Sequence, residues 1–531
     1  MIRRLIHLVL LLVFAAQPIA EASASSIIDT APAPVSASEQ LRQAAPAAAQ
    51  MVPSRAAAGV GARLAAAPRR SAGPLAVQAS ATPLTIRPAT PATGPPAQYT
   101  GTRRTLLVGR PARPLEFVAA GGYVPYNNPG TAATGSTTTR QDRTRHRIGA
   151  AGFTSMQVAV GNYYVTTSNV ETNLGAVTDL QESITLNGVT KRLTFSGATS
   201  TTMVAGQAIV LSDPVTPADF GLTADKTPGQ MMYVVVRRTV ANGSLYVTGA
   251  HLGSNTDPAG EPAGSINAIL SDDTNNQVMS GAALVTTGAT AVPVMPPLAF
   301  VGRSLWANKS LLIIGDSIFQ GLVDTGTVGM ADGSNGGGYL LRAAYSQQVP
   351  FANIARFGSQ AQHFTSTNWA KRSVLFPYAR IAINDYGTND IAAGSRTSAQ
   401  IIADNQRIQD AIKPLMLPGA RWEHQLMLPR STSTDAFKTA ANQTITTGFT
   451  VGGTRDLVVS GMLASVGTHG LDATFDLNQY FEDQANLGKW VTDGVTNFLS
   501  SGDGTHFSSN TGSSARAAGY TATRMATWGA M

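Results

Sequence analysis

The stretch that decides the fold is Ser310-Leu311-Leu312-Ile313-Ile314-Gly315-Asp316-Ser317-Ile318. Four aliphatic residues in a row, with no polar alternation, read as a strand buried on both faces, the mark of a parallel sheet. Gly315 permits a tight turn, and a helix is expected to open at Ser317. A serine on a strand-to-helix turn stands exposed at the carboxyl edge of the sheet. The first N–H groups of the helix can then donate to an oxyanion. Further apolar runs at Phe351 to Ile354, Arg380 to Asp385 and His424 to Leu428, with helical stretches between them, notably Ser398 to Ile412, repeat the alternation. That order predicts an α/β sandwich with a mostly parallel sheet. Ligand groups gather beyond the carboxyl ends of such strands, and Ser317, Gly358 and Asn389 each follow one of these runs.

A serine hydroxyl is a weak nucleophile and needs a base. Asp503-Gly504-Thr505-His506 supplies one. The Asp-x-x-His spacing on a short loop lets the carboxylate fold back onto the imidazole Nδ1–H and leaves Nε2 for the serine. Asn389, in Gly387-Thr388-Asn389-Asp390, can offer its side-chain N–H to an oxyanion, and Gly358 lets a backbone N–H approach a substrate closely. Each piece alone is a common turn or loop. Their occurrence in this order, at strand ends, within one domain-sized segment points to a catalytic site.

On the blocks Gly315-Asp316-Ser317-Ile318, Asn353-Ile354-Ala355-Arg356-Phe357-Gly358, Gly387-Thr388-Asn389-Asp390 and Asp503-Gly504-Thr505-His506, residues 305–531 resemble the SGNH hydrolases, also called the GDSL esterase/lipase family. Ile318 replaces the Leu of the family's name motif. The resemblance implies a three-layer, flavodoxin-like α/β/α fold. It implies Ser317 as nucleophile, His506 as base and Asp503 as its orienting acid. It further implies an oxyanion hole from the Ser317 and Gly358 backbone N–H groups and the Asn389 side chain. More loosely, the region with Val210-Leu211-Ser212-Asp213-Pro214 resembles the β-rich module preceding the catalytic domain in some secreted bacterial members.

Residues 103–302 are rich in Thr, Val, Gly and Tyr. Asn187-Gly188 between Ile184 to Leu186 and Val189 to Phe195 reads as a type I′ hairpin, and Asn242-Gly243 between Met232 to Val240 and Leu245 to Thr248 repeats it. Strands so spaced predict an antiparallel sandwich, a jelly-roll-like accessory domain. The cluster Arg140, Arg143, Arg145, His146, Arg147 reads as a solvated loop. The catalytic domain is expected over 303–531.

At the N-terminus, Arg3 and Arg4 precede the apolar run Leu5 to Ala16, and Ala22-Ser23-Ala24 offers a cleavage site. Residues 1–24 therefore read as a secretory signal peptide, too short to span a bilayer. Ala and Pro supply nearly half of residues 41–100, so 25–102 reads as a disordered tether unable to recover its ordering entropy. The whole chain of 531 residues has no cysteine, which excludes disulfides, thiolate metal sites and a Cys nucleophile. Of the net charge of +7, residues 1–100 carry +5, eight Arg against Glu21, Asp29 and Glu39. The remainder is near neutral, and no nucleic-acid partner is suggested.

The expectation is a secreted or periplasmic serine esterase, acting through an acyl-enzyme on a carbohydrate O-acetyl ester, without cofactor or metal. A lipase or arylesterase is the alternative within the enzyme class. A non-catalytic carbohydrate-binding or envelope protein is the rival outside it. No transmembrane anchor is expected after signal cleavage. Among the other titratable residues, His363 and His469 read as exposed loop positions, and Asp316 and Asp390 as structural hydrogen-bonding groups at their turns.

Overall fold

The computed structural model describes residues 113–125, 138–245, 267–272, 274–285, 290–292, 294–322, 338–365, 367–508 and 511–528. The expected signal peptide and tether, and the second hairpin beyond Leu245, lie outside them. Arg104–Met531 forms one compact unit.

A nine-stranded mixed sheet runs in the order Ala473–Phe475, Arg421–Gln425, Ile381–Asn384, Leu311–Ile314, Phe351–Asn353, Glu116–Tyr123, Ala299–Arg303, Ser155–Val160, Val210–Leu211. The first six strands are parallel and the remaining pairings antiparallel. In the parallel half, period-two alternation feeds two cores. Leu312, Ile314, Ala352 and Ala382 point to one face, where Ile401, Ile408 and Ile412 of the helix Ser398–Ile412 and Val458 and Met462 of the helix Thr454–Ala464 pack. Leu311, Ile313, Phe351, Ile381 and Ile383 point to the other, against Leu340, Leu341 and Ala344 of the helix Tyr339–Ser346 and Ala517 and Met525 of the helix Ser513–Ala526. Burial on both faces is why these strands carry no polar alternation.

A second, antiparallel sheet runs Thr290–Val292, Asn267–Ser271, Thr139–Arg147, Met231–Val240, Val177–Leu186, Val189–Arg192, with Thr201–Met203 also pairing Val177–Leu186. Its Leu180, Ile184, Met232, Val234 and Val236 pack against Val118, Met156, Val158 and Phe300 of the nine-stranded sheet. Asn187 (φ 53°) and Gly188 (φ 73°) form the hairpin expected there.

Three expectations need correction. The boundary near 302–303 does not divide the packing. Glu116–Tyr123 lies between Phe351–Asn353 and Ala299–Arg303 in one sheet, and Phe117, Tyr163 and Val165 share a core with Leu312, Trp369 and Trp422. The Arg140–Arg147 cluster is a buried strand and not a solvated loop. Its charge is offset in part by local partners: Arg140 pairs with Asp142 (2.6 Å), the Arg143 guanidinium stacks 3.8 Å from the Tyr233 ring centroid, and His146 Nδ1 lies 2.8 Å from Ala120 O. The strand expected at His424 to Leu428 starts earlier, at Arg421–Gln425, because the half-polar segment pairs in register with Ile381–Asn384.

Candidate active site

The strand Leu311–Ile314 delivers Gly315 and Asp316 to the carboxyl edge, and Ser317 opens the short helix Ser317–Gln320. Asp316 is its N-cap: its Oδ1 accepts from Ile318 N (2.9 Å). The turn is held from the next strand. Asp385, just past Ile381–Asn384, accepts from Asp316 N (3.0 Å) and Phe319 N (3.1 Å). A Cβ on Gly315 would stand 1.8 Å from Asp385 Oδ1, so glycine is what lets this carboxylate reach the turn. Burial, then the charge of Asp316, pushes the Asp385 carboxyl well above its ordinary range, and burial also raises Asp316.

The loop after Phe351–Asn353 is stitched to the same turn. Arg356 N donates to Gly315 O (2.9 Å), Phe357 N to Gln320 Oε1 (2.6 Å) and Asn353 Nδ2 to Phe319 O (3.0 Å). Gly358 follows at φ 73°, and its N–H has no partner among the described residues. The Ser317 N–H, first in its helix, has no intrahelical acceptor either. Asn389 lies in the helix Thr388–Ala392, and its Nδ2 donates to Asp316 Oδ2 (3.1 Å) and Ser359 O (3.2 Å). Asp390 accepts from Ala361 N (3.0 Å) and Gln362 N (3.3 Å); burial raises its carboxyl to about 6.

His506 arrives from the far end of the chain on a loop closed by Gly502 N to His506 O (3.1 Å) and Ser501 Oγ to His506 O (2.7 Å). Its Nε2 lies 2.8 Å from Ser317 Oγ and its Nδ1 2.7 Å from Asp503 Oδ2. Asp503 Oδ1 also accepts from Thr505 N and His506 N (2.8 Å each), so the carboxylate organises the loop as well as the ring. Burial works to raise the Asp503 carboxyl. The His506 hydrogen bond and charge, with the two amides, outweigh it and hold the group at about 2. Ser317 and His506 are only 7% and 8% exposed. Such a relay can take the proton from a serine hydroxyl as it attacks a carbonyl.

The structure thus gathers Ser317, Gly358, Asn389, Asp503 and His506 at one edge. His363 is half-buried, and His469 pairs with Asp410 (2.9 Å) in solvent at the other end of the strands. A crevice of only about 10 Å³ lies beside His506, lined by Ile318, Gly321, Leu322, Tyr339 and Phe507. Among the described residues no group of three His, Asp or Glu side chains is placed to hold a metal ion. Sequence reasoning missed Asp385, Arg430 and the hairpin Tyr163–Asn173. Arg430 carries electrostatic interactions with Asp316 and Asp503. The hairpin sets Thr167 about 3.5 Å from where a Gly358 Cβ would stand. The position of Asp385 at the end of the run Arg380 to Asp385 was its only sequence signal.

No protein-family model and no curated protein matches the chain. Among solved structures it is similar to a family 2 carbohydrate esterase with a carbohydrate-binding domain from Myceliophthora fergusii (16% identity, TM-score 0.30, covering 78% of this chain and 98% of that one). It is also similar to a family two carbohydrate esterase from Clostridium thermocellum in complex with cellohexaose (12%, 0.30, 77% and 98%). A GDSL-like lipase from Bacteroides thetaiotaomicron matches over a shorter span (12%, 0.27, 41% and 88%). At overlaps this loose, the chemistry rests on the site's own geometry.

Proposed function

We propose that this chain is an exported serine ester hydrolase of the SGNH type. The observation that carries the reading is the continuous relay from Asp503 through His506 to Ser317 Oγ, at 2.7 and 2.8 Å. Ser317 Oγ attacks the ester carbonyl while His506 Nε2 takes its proton, and Asp503 steadies the imidazolium. The developing oxyanion is received by the Ser317 and Gly358 N–H groups and by Asn389 Nδ2. Collapse expels the alcohol, protonated by His506. Water, deprotonated by His506, then releases the acid from the acyl-enzyme. An O-acetylated carbohydrate is the substrate class proposed.

The test is hydrolysis by the purified chain of acetylated polysaccharides beside p-nitrophenyl esters of increasing acyl length. The expected result is a preference for acetyl that disappears in Ser317→Ala. A preference rising with chain length would overturn the substrate class, and a folded Ser317→Ala protein of full activity would overturn the mechanism.

A further inference from the structure

Arg430 follows the strand Arg421–Gln425 on the carboxyl side of the sheet. Thr446 N donates to Arg430 O (3.0 Å), and Ser431 N donates to Gly504 O (3.1 Å), pinning the backbone. Gly504 lies between Asp503 and His506. A Cβ there would stand 1.8 Å from Ser431 O. The Arg430 side chain therefore leaves the backbone one residue from direct contact with the His506 loop.

What its guanidinium does there is unlike its neighbours. Arg356 donates to Val165 O (2.7 Å), Arg372 to Glu171 and Asn169, Arg380 to Glu116, and Arg455 to both oxygens of Glu482 (2.6 and 2.9 Å). The Arg430 guanidinium is half-buried, with Nη1 out of solvent and without a hydrogen-bond partner among the described residues. Asp316 and Asp503 are close enough to act on its charge, yet neither forms an ion pair with it among the described residues. Burial lowers its proton affinity and the two carboxylates offset this only in part; a guanidinium nonetheless stays cationic at working pH.

A partly desolvated cation with an unspent donor, its charge acting on Asp316 and Asp503, is complementary to an anion brought by the substrate. The planar fork of a guanidinium fits a carboxylate through two parallel hydrogen bonds. We propose that Arg430 is a carboxylate-recognition residue of the active site, so that the preferred esters carry a carboxylate near the scissile carbonyl. This deepens the esterase reading and rests on it. The carboxylate has two possible sources, a uronic acid on the alcohol side or a dicarboxylic acyl group.

The experiment uses the full chain and compares kcat/KM for charged and neutral partners. The acyl arm is ethyl hydrogen succinate against ethyl butyrate. The sugar arm is methyl 3-O-acetyl-galactopyranosiduronate against methyl 3-O-acetyl-galactopyranoside. In one arm the charged ester should be favoured by about tenfold or more, the scale of a charge-assisted hydrogen bond. Arg430→Gln should bring that ratio towards one, mainly through KM, and Arg430→Lys should retain part of it. A ratio near one in both arms, or a ratio unchanged in Arg430→Gln, would overturn the proposal. So would an equal fall in kcat on charged and neutral esters, which would make Arg430 a positioning residue. Calorimetry of ethyl hydrogen succinate and the uronosiduronate ester with the inert Ser317→Ala protein reads the site without turnover. Binding of either, lost in the Ser317→Ala, Arg430→Gln double variant, supports the proposal, and equal or absent binding overturns it. Failure of every ester, neutral ones included, would instead sink the esterase reading itself.

Discussion

Asn389 Nδ2 already donates to Asp316 Oδ2 and Ser359 O, so in the proposed mechanism an oxyanion would draw on hydrogens that serve the turn when no substrate is bound. The gain from Asn389 is therefore a difference between two sets of hydrogen bonds, largest where charge develops. Asn389→Ala should lower kcat by about 10²–10³ with a smaller effect on KM. Steady-state kinetics on an acetyl ester checks this, and a change confined to KM would reassign Asn389 to ground-state binding. The relay residues were legible because their spacing is local: a turn after an apolar run for Ser317, and a separation of only three positions from Asp503 to His506. Asp385 and Arg430 were not. Each is one polar residue beside a strand, and its role depends on which strands become neighbours, which periodicity along the chain does not tell.

The hairpin of Tyr163–Val165 and Glu171–Asn173 is clamped to the segment that carries Arg372 and Tyr386. Arg372 Nε donates to Glu171 Oε1 (2.9 Å) and its Nη1 to Asn169 Oδ1 (2.6 Å), while Asn169 Nδ2 donates to Tyr386 Oη (3.2 Å). Both members of the Arg372–Glu171 pair are almost wholly out of solvent, so removing one leaves a buried charge alone. Arg372→Met should destabilise the protein by about 3–5 kcal/mol, read by urea unfolding. Because Thr167 of this hairpin backs Gly358, kcat on a small ester should fall too, at a temperature where the variant is folded. A kcat equal to wild type would limit the hairpin to a structural part. Elements with local signals were readable, including the Asn187-Gly188 turn and the helix Ser398–Ile412, which begins and ends as expected. The strand Thr139–Arg147 was misread because its burial comes from pairing across the sheet with Met231–Val240 and Asn267–Ser271, both distant in sequence.

Across the whole molecule, the parallel and antiparallel halves share one sheet, with Glu116–Tyr123 as the join. A fragment beginning at residue 303 would lose that strand and leave Phe351–Asn353 as an unpaired, buried-type edge. It would also strip Phe117, Tyr163 and Val165 from the core around Leu312 and Trp369. The fragment 303–531 should be insoluble or lack a cooperative thermal transition, while 104–531, the compact unit, should fold. A soluble 303–531 with a sharp transition would contradict the shared core. In the antiparallel region the Asn187-Gly188 hairpin and the strand Met231–Val240 were legible from turns and alternation, whereas Thr139–Arg147 was not. Its fusion to the catalytic half was not, because the joining strand Glu116–Tyr123 precedes its parallel neighbour Phe351–Asn353 by more than two hundred residues and carries no mark of its partner.

The central claim, that Ser317 is a nucleophile activated by His506, is tested most directly by treating the folded chain with a fluorophosphonate and locating the adduct by peptide mass spectrometry. One adduct is predicted, on Ser317, absent in Ser317→Ala and formed at least about 100-fold more slowly in His506→Ala. Labelling of Ser317→Ala at the wild-type rate, or a wild-type adduct on any other residue, would contradict it.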